Sequence, residues 1–338
     1  MDTLVPIYMD IFEFQERSKE MYRSIMEDIA TFEHHCNVLK TLKEFGYSKP
    51  LIESVGGEAF TTSIHISKHE LEGRDMLSKK SIYIANLGSW LKDKANYIIQ
   101  KILDFLRYLM DKITEWFLRP NKQQKMNTNR LMMINSFPPG MQVPNVFNYQ
   151  MFITRLTALR NLVMYIGDWY TKLNCMYNAV AKDPTNADAI VIHVFNDFPT
   201  ARDMFVKEIS HNHYRDGVVA TSEGCKVIIE TASPDPVDPR EFGWNGGSQI
   251  RYAETLVSTI MKEIEPVVDN MEDLYKNISA LRDKYKNSTS SPAINILLNV
   301  TQYVMNSSAS LFNGIEQYYA KFYSMTEWIL QEVQKSKK

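Results

Sequence analysis

The chain has 338 residues, with 38 basic and 40 acidic side chains and a formal net charge of −2. That balance argues against a protein coating nucleic acid along its whole surface, while the length can bury a substantial core. With 13 Gly and 13 Pro, a low-complexity or fibrous chain is excluded as well.

In chain order, residues 9–45 carry Phe12, Ile25, Ile29, Phe32, Cys36, Leu39 and Leu42 at helical spacing, and Gly46 and Pro50 close that helix. The opening residues lack a basic start and a clean apolar core, so no secretory signal is expected. Residues 51–80 are polar with weak periodicity and read as a loop with at most a helical turn. A long helix follows from about Ser81 to Leu118. Its Leu91, Ala95, Ile98, Ile102, Phe105, Leu109, Ile113 and Trp116 share one face, and Arg119-Pro120 ends it.

Residues 120–148 hold several prolines and many Asn and Gln, the pattern of a connecting segment without a core of its own. A second long helix is expected at 148–181, ended by Asp183-Pro184. The short β-branched runs AIVIHVF (189–195), GVVAT (217–221) and KVIIETA (226–232) then predict a three-stranded antiparallel sheet. A Pro- and Gly-rich exit loop (233–247) leads to two closing helices, 248–286 and 292–334. The fold class expected is mainly α, an irregular bundle of long helices with a small antiparallel β insertion. It divides into an N-terminal helical segment (1–53), a linker (54–80), long amphipathic helices (81–188), the β-containing insertion (189–247) and a C-terminal helical hairpin (248–338).

The chemistry-bearing residues are sparse. Cys36, Cys175 and Cys225 are far apart and odd in number, which supports neither a zinc knuckle nor a disulfide framework. His211 and His213 could share a strand face, but no ligand of suitable spacing joins them. His34 and His35 are adjacent on a helix and point apart, and His65 and His69 lie on a segment of weak periodicity. No GxSxG, HExxH or phosphate-binding glycine loop occurs, and Gly243 to Gly247 read as a turn. No catalytic group, cofactor or metal is expected.

The helix at 82–117 admits three readings: a core helix of a bundle, a membrane-interface helix using Trp90, Tyr97, Tyr108 and Trp116, or a helix whose basic side meets DNA phosphates. Lys79, Lys80, Lys92, Lys94, Lys101, Arg107 and Lys112 are the candidate phosphate or membrane contacts.

The run FEHHCNVLKTLKEFGYSKPLIESVGGEAF, followed by ISKHELEGRDMLSKKSIYIANLGSWLKDKANYIIQKILDFL, resembles the internal head (virion structural) proteins of large contractile-tailed bacteriophages over about residues 30–118. In that family an acidic helical propeptide precedes a Leu-Glu-Ser-Leu-Gly-like box, here Ile52 to Glu58, and an ALEG-like box, here Leu71-Glu72-Gly73. The prohead protease cuts after a glutamate that has Leu, Ile or a small residue two positions before it. Leu51-Ile52-Glu53 and Gly56-Gly57-Glu58 fit those forms, so the resemblance implies processing after Glu53 or Glu58. It also implies a non-enzymatic protein made in the host cytoplasm and carried inside the capsid. Its partners would be other head proteins, the prohead protease and the packaged DNA. Two alternatives remain: a membrane-active helical protein using residues 82–117, and a virion-delivered effector acting on the host. The effector would work through a cleft of His193, Asp197, His211 and His213.

Overall fold

The computed structural model describes residues 4–118, 122–211, 217–229, 231–233, 235–285 and 292–336, without the side chains of 4–9, 122–124, 210–211, 283–285 and 292. It is mainly α with a small two-stranded sheet. The first helix, α1, spans Leu4–Phe45, and three short helices follow: α2 (Lys49–Ser54), α3 (Gly57–Ser63) and α4 (Lys68–Leu71). Thus 51–80, expected as a loop, is largely short helix. Its local signal was a capping box: the Ser67 hydroxyl accepts from the Glu70 backbone N–H, and the Glu70 carboxylate accepts from the Ser67 backbone N–H at 2.7 Å.

Helix α5 (Met76–Ile113) starts ahead of the expected Ser81, because the Asp75 carboxylate accepts from the Ser78 backbone N–H at 2.6 Å and caps the helix there. It runs into one π-helical turn, Thr114–Leu118. Helix α6 (Lys122–Met132) and α7 (Tyr149–Lys182) come next. The stretch between them is not a bare connector, for Phe137, Met141, Val143, Val146 and Phe147 are all buried. They are held by backbone bonds to the later segment 233–247: Val143 and Val237 bond reciprocally at 3.0 Å, and the Trp244 indole donates to the Phe147 carbonyl at 2.7 Å. Each covers the other's polar backbone, so two segments with loop-like composition still fold inside.

The expected three-stranded sheet is corrected. AIVIHVF is a helix, α8 (Ala187–Phe195), whose Ala187, Val191 and Phe195 are buried at helical spacing. Helix α9 (Phe198–His211) follows it. Only β1 (Val218–Thr221) and β2 (Gly224–Val227) pair, antiparallel, with Val218 opposite Val227 and Thr221 opposite Gly224. The strand expected at 226–232 ends at Val227.

Helices α10 (Gly247–Tyr285) and α11 (Pro292–Lys335) close the chain. Helix α11 is buried around nearly its whole circumference and packs against α1, α5, α6, α7, α8, α9 and β2. Its buried polar groups are neutral, and several are satisfied within the core. The Tyr170 hydroxyl bonds that of Ser308, and the Tyr177 hydroxyl that of Thr301, both at 3.0 Å, one heptad apart on each helix. The hairpin is clamped to α11 as well. The Tyr303 hydroxyl donates to the Thr221 carbonyl at 2.9 Å, and the Ser307 hydroxyl accepts from the Cys225 backbone N–H at 3.1 Å. Gly314 is required for this approach, since a Cβ there would lie 2.5 Å from the Val227 side chain.

Candidate processing junction and basic helix face

Glu53 lies in the last turn of α2 and Glu58 in the first turn of α3. Their side chains are exposed, 59% and 94%, with only weak ion pairs to Lys49 at 3.5 Å and Lys68 at 3.9 Å. The two short helices join through Gly56 and Gly57, both at positive φ (118° and 53°), a turn that disfavours residues with a Cβ. Both glutamates line one cavity of about 500 Å³, together with Tyr47 and Tyr83. The structure therefore brings the two candidate processing residues together at one exposed junction.

The two bonds are not equivalent. Ile52, directly before Glu53, is buried in the core, as is Phe60 beyond Ala59. From Gly56 to Ala59 no side chain is buried. Each bond therefore has one buried neighbour, and the difference is that Glu58 is the more exposed glutamate and directly follows the glycine turn.

The basic candidates on α5 separate into two groups. Lys94 and Lys101 both donate to Asp28 of α1, at 2.6 and 2.5 Å, and Lys101 also reaches the Ser24 hydroxyl at 2.8 Å. Lys112 donates to Asp10 of α1 at 2.7 Å, and the Trp116 indole donates to the other Asp10 oxygen at 2.8 Å. Burial alone would raise the carboxyl pKa of Asp28, but the hydrogen bonds from Lys101 and Lys94 outweigh it and hold the group below its ordinary value. Burial likewise would lower Lys101, and the bond to Asp28 leaves it raised instead. As candidate phosphate or membrane contacts, Lys94, Lys101 and Lys112 are corrected: they face α1 acids across a partly buried seam. Arg107 is engaged too, donating to the Tyr275 hydroxyl of α10 and lying 5.0 Å from that ring. Lys79 sits over the Tyr47 ring, Lys80 donates to the Lys43 carbonyl at 3.3 Å, and Lys92 is half-buried.

The apolar stripe of α5 is occupied. Leu91, Ile98, Ile102, Phe105, Leu109 and Ile113 are buried in the bundle core. Of the aromatics assigned to a membrane interface, Trp90 packs on His35 (4.4 Å between rings), while Tyr108 and Trp116 pack on Phe14 at 5.5 and 4.6 Å. Tyr97 is half exposed beneath Lys94 and Lys101. Among the described residues no helix is long and apolar enough to cross a membrane.

The histidines do not converge. His35 is wedged between Phe60 and Trp90, its ring nitrogen 2.7 Å from the Thr31 carbonyl, and burial pushes its pKa down. His65 occupies a positive-φ position, and His69 is exposed beside Glu72. His193 and Asp197 are exposed at the end of α8, and Asp197 caps α9 through the Thr200 N–H at 2.7 Å. The His211 side chain and all of His213 lie outside the described residues, so that part of the effector cleft is not described. Among the described residues no group of three His, Cys, Asp or Glu is arranged to hold a metal ion. Cys225 is buried on Ser307, and burial pushes its thiol up to about 12, the condition of an unreactive structural cysteine.

Sequence reasoning named the lysines of the α1–α5 seam but missed Asp10 and Asp28. The pairing shows only once α1 is known to be the antiparallel neighbour of α5, where acids spaced along one helix face meet lysines spaced along the other. No family model, curated protein or solved structure matches the chain.

Proposed function

We propose that this is a non-enzymatic structural protein packaged inside the capsid of a large contractile-tailed bacteriophage and cut by the prohead protease during head maturation. The observation that carries the reading is the placement of Glu53 and Glu58. Both are exposed, on short helices joined at a glycine turn, between two long helices of the bundle. Glu58–Ala59 is the favoured bond, because Glu58 is the more exposed of the two glutamates and directly follows the glycine turn. The packing of α1 adds a refinement. Phe14, Tyr22, Ile25, Ile29, Phe32 and Leu42 bury its inner face, so a cut at the junction yields a nicked bundle that retains α1. The partners of the intact protein are the other head proteins and the protease. Lys79, Lys80 and Lys92 remain to meet packaged DNA.

Mass spectrometry of the protein from assembled particles tests this directly. A peptide beginning at Ala59, with the 1–58 fragment present alongside, is the expected result. Met1 joined to an uncut junction, in a protein not associated with particles, overturns it. With the purified chain, a glutamate-specific protease at low dose is expected to cut first after Glu58, and the fragments to co-elute on gel filtration until denatured.

A further inference from the structure

Helix α11 shows two different faces to its neighbours. Toward α7 its hydroxyls are paired, Ser308 with Tyr170 and Thr301 with Tyr177. A second line along the same helix, Asn295, Asn299, Gln302, Asn306 and Asn313, recurs at steps of three, four and seven and so lies on one side. That side meets α1. The Asn299 amide donates to the Glu33 carboxylate at 2.9 Å, and Asn306 and Asn313 border a cavity of about 230 Å³ together with Ser18. Asn295 borders a larger cavity, of about 860 Å³, with Glu33, Cys36 and Lys40.

This seam is poorly closed. Gln302 is fully buried, yet neither its amide oxygen nor its amide nitrogen has a hydrogen-bond partner among the described residues. The same holds for the buried Ser18 hydroxyl and for the amide oxygen of Asn295. Gln302 lies between Asn299 and Asn306, so the part of α1 above it falls between Glu33 and Ser18. There Ile25 and Ile29 are buried, and neither side chain can bond a carboxamide. Such polar groups are better solvated outside the seam than within it, so each favours separation. A cavity on either side of Gln302 also removes close packing from part of the contact.

On the other side of α1, Asp10 and Asp28 meet the α5 lysines in partly buried pairs that water can replace. At its end α1 passes into Gly46, at φ 84°, and then into three short helices, a connection able to bend. We infer that α1 is a strap: it lifts from α5 and α11 as one unit while the remaining long helices stay packed, and lifting uncovers Lys94, Lys101 and Lys112. Its apolar stripe holds it closed, and the unmet carboxamides and hydroxyl set how readily it opens. The inference concerns the uncut chain and does not depend on processing at Glu58.

Hydrogen–deuterium exchange of the full chain, read by mass spectrometry at pH 7, tests this. Peptides from α1 are expected to share one level of protection, about tenfold or more below that of α7 and α11. Gln302→Met and Ser18→Ala each remove an unmet polar group without adding bulk, and each is expected to slow exchange in α1 about tenfold. Thr301→Val weakens the inner seam, which stays formed when the strap is open. It should therefore speed exchange in α7 and α11 and leave α1 unchanged. The proposal is overturned if α1 exchanges no faster than α7 and α11, or if Thr301→Val speeds all three, since α1 then opens only with the whole bundle. It is overturned as well if neither seam variant slows α1, because those groups then do not govern its opening.

Discussion

The seam between α1 and α5 and the seam between α7 and α11 solve the same problem with different chemistry. Both join long helices, and both are zipped along an apolar stripe. The first adds charges: Asp28 against Lys94 and Lys101, Asp10 against Lys112, all only partly buried. The second adds neutral hydroxyls, Tyr170 to Ser308 and Tyr177 to Thr301, wholly buried. Position explains the difference. An ion pair taken out of water must recover a large desolvation cost, so charges fit the outer helix pair and hydroxyls the centre. The consequence is that the α1–α5 seam responds to salt, while the hydroxyl pairs between α7 and α11 do not. A nick at Glu58 would leave α1 joined by the responsive seam and by its packing on α11.

The largest effect expected from breaking this contrast comes from the apolar part of the outer seam. Phe14 is 1% exposed and packs on Tyr108 and Trp116. Phe14→Ala should cost about 3–5 kcal/mol in urea unfolding of the full chain, as for other buried aromatic truncations. A loss below about 1 kcal/mol would mean that α1 is held mainly by its charges.

Next is Glu316 on α11, where the two seams approach each other. Burial first, and the Asp10 carboxylate second, push its pKa up to about 8. A raised carboxyl pKa favours the neutral form in the folded state. Its contribution is therefore fully present below the unfolded value near 4.5 and is lost as pH rises through about 8. Glu316→Gln should leave stability nearly unchanged at pH 5 and raise it by on the order of 2–3 kcal/mol at pH 9. Equal effects at both pH values would show that the carboxyl is not titrating in the core.

On the inner seam, Thr301 donates to the Leu297 carbonyl at 2.7 Å and accepts from the Tyr177 hydroxyl. Thr301→Val keeps the shape and strands a buried hydroxyl, at a cost of about 1–3 kcal/mol that salt should not alter. Pairing it with Tyr177→Phe removes both partners, and the double variant should recover much of the loss.

The long helices were legible because each keeps an apolar stripe with the helical period over many turns. The short ones were not. In 187–195 the β-branched composition pointed to a strand, yet burial of Ala187, Val191 and Phe195 on one side decides for helix, and packing overrides propensity. Residues 133–147 and 233–247 look like loops singly. They become core only as a pair, and pairing across so much sequence leaves no local trace. Of the candidate site, the exposed glutamates could be read from composition. The inward turn of Lys94, Lys101 and Lys112 could not, because a helical wheel does not say which neighbour supplies the acids.

The smallest effect belongs to the charges, and it is also the most diagnostic. Asp28→Asn removes the acceptor shared by Lys94 and Lys101 and leaves two ammonium groups facing each other in a half-buried seam. At low salt the cost should be about 1–2 kcal/mol, and screening near 1 M salt should shrink it. Because the folded state holds the Asp28 carboxyl below its ordinary pKa, the contribution exists above that value and fades as pH falls through the lowered one. The wild type and the variant should therefore converge in acid. In the nicked chain the same substitution should speed release of the 1–58 fragment, with Thr301→Val leaving that rate unchanged. If both substitutions speed release alike, the two seams act as one cooperative unit, and the division between a charged outer clasp and a neutral inner core fails.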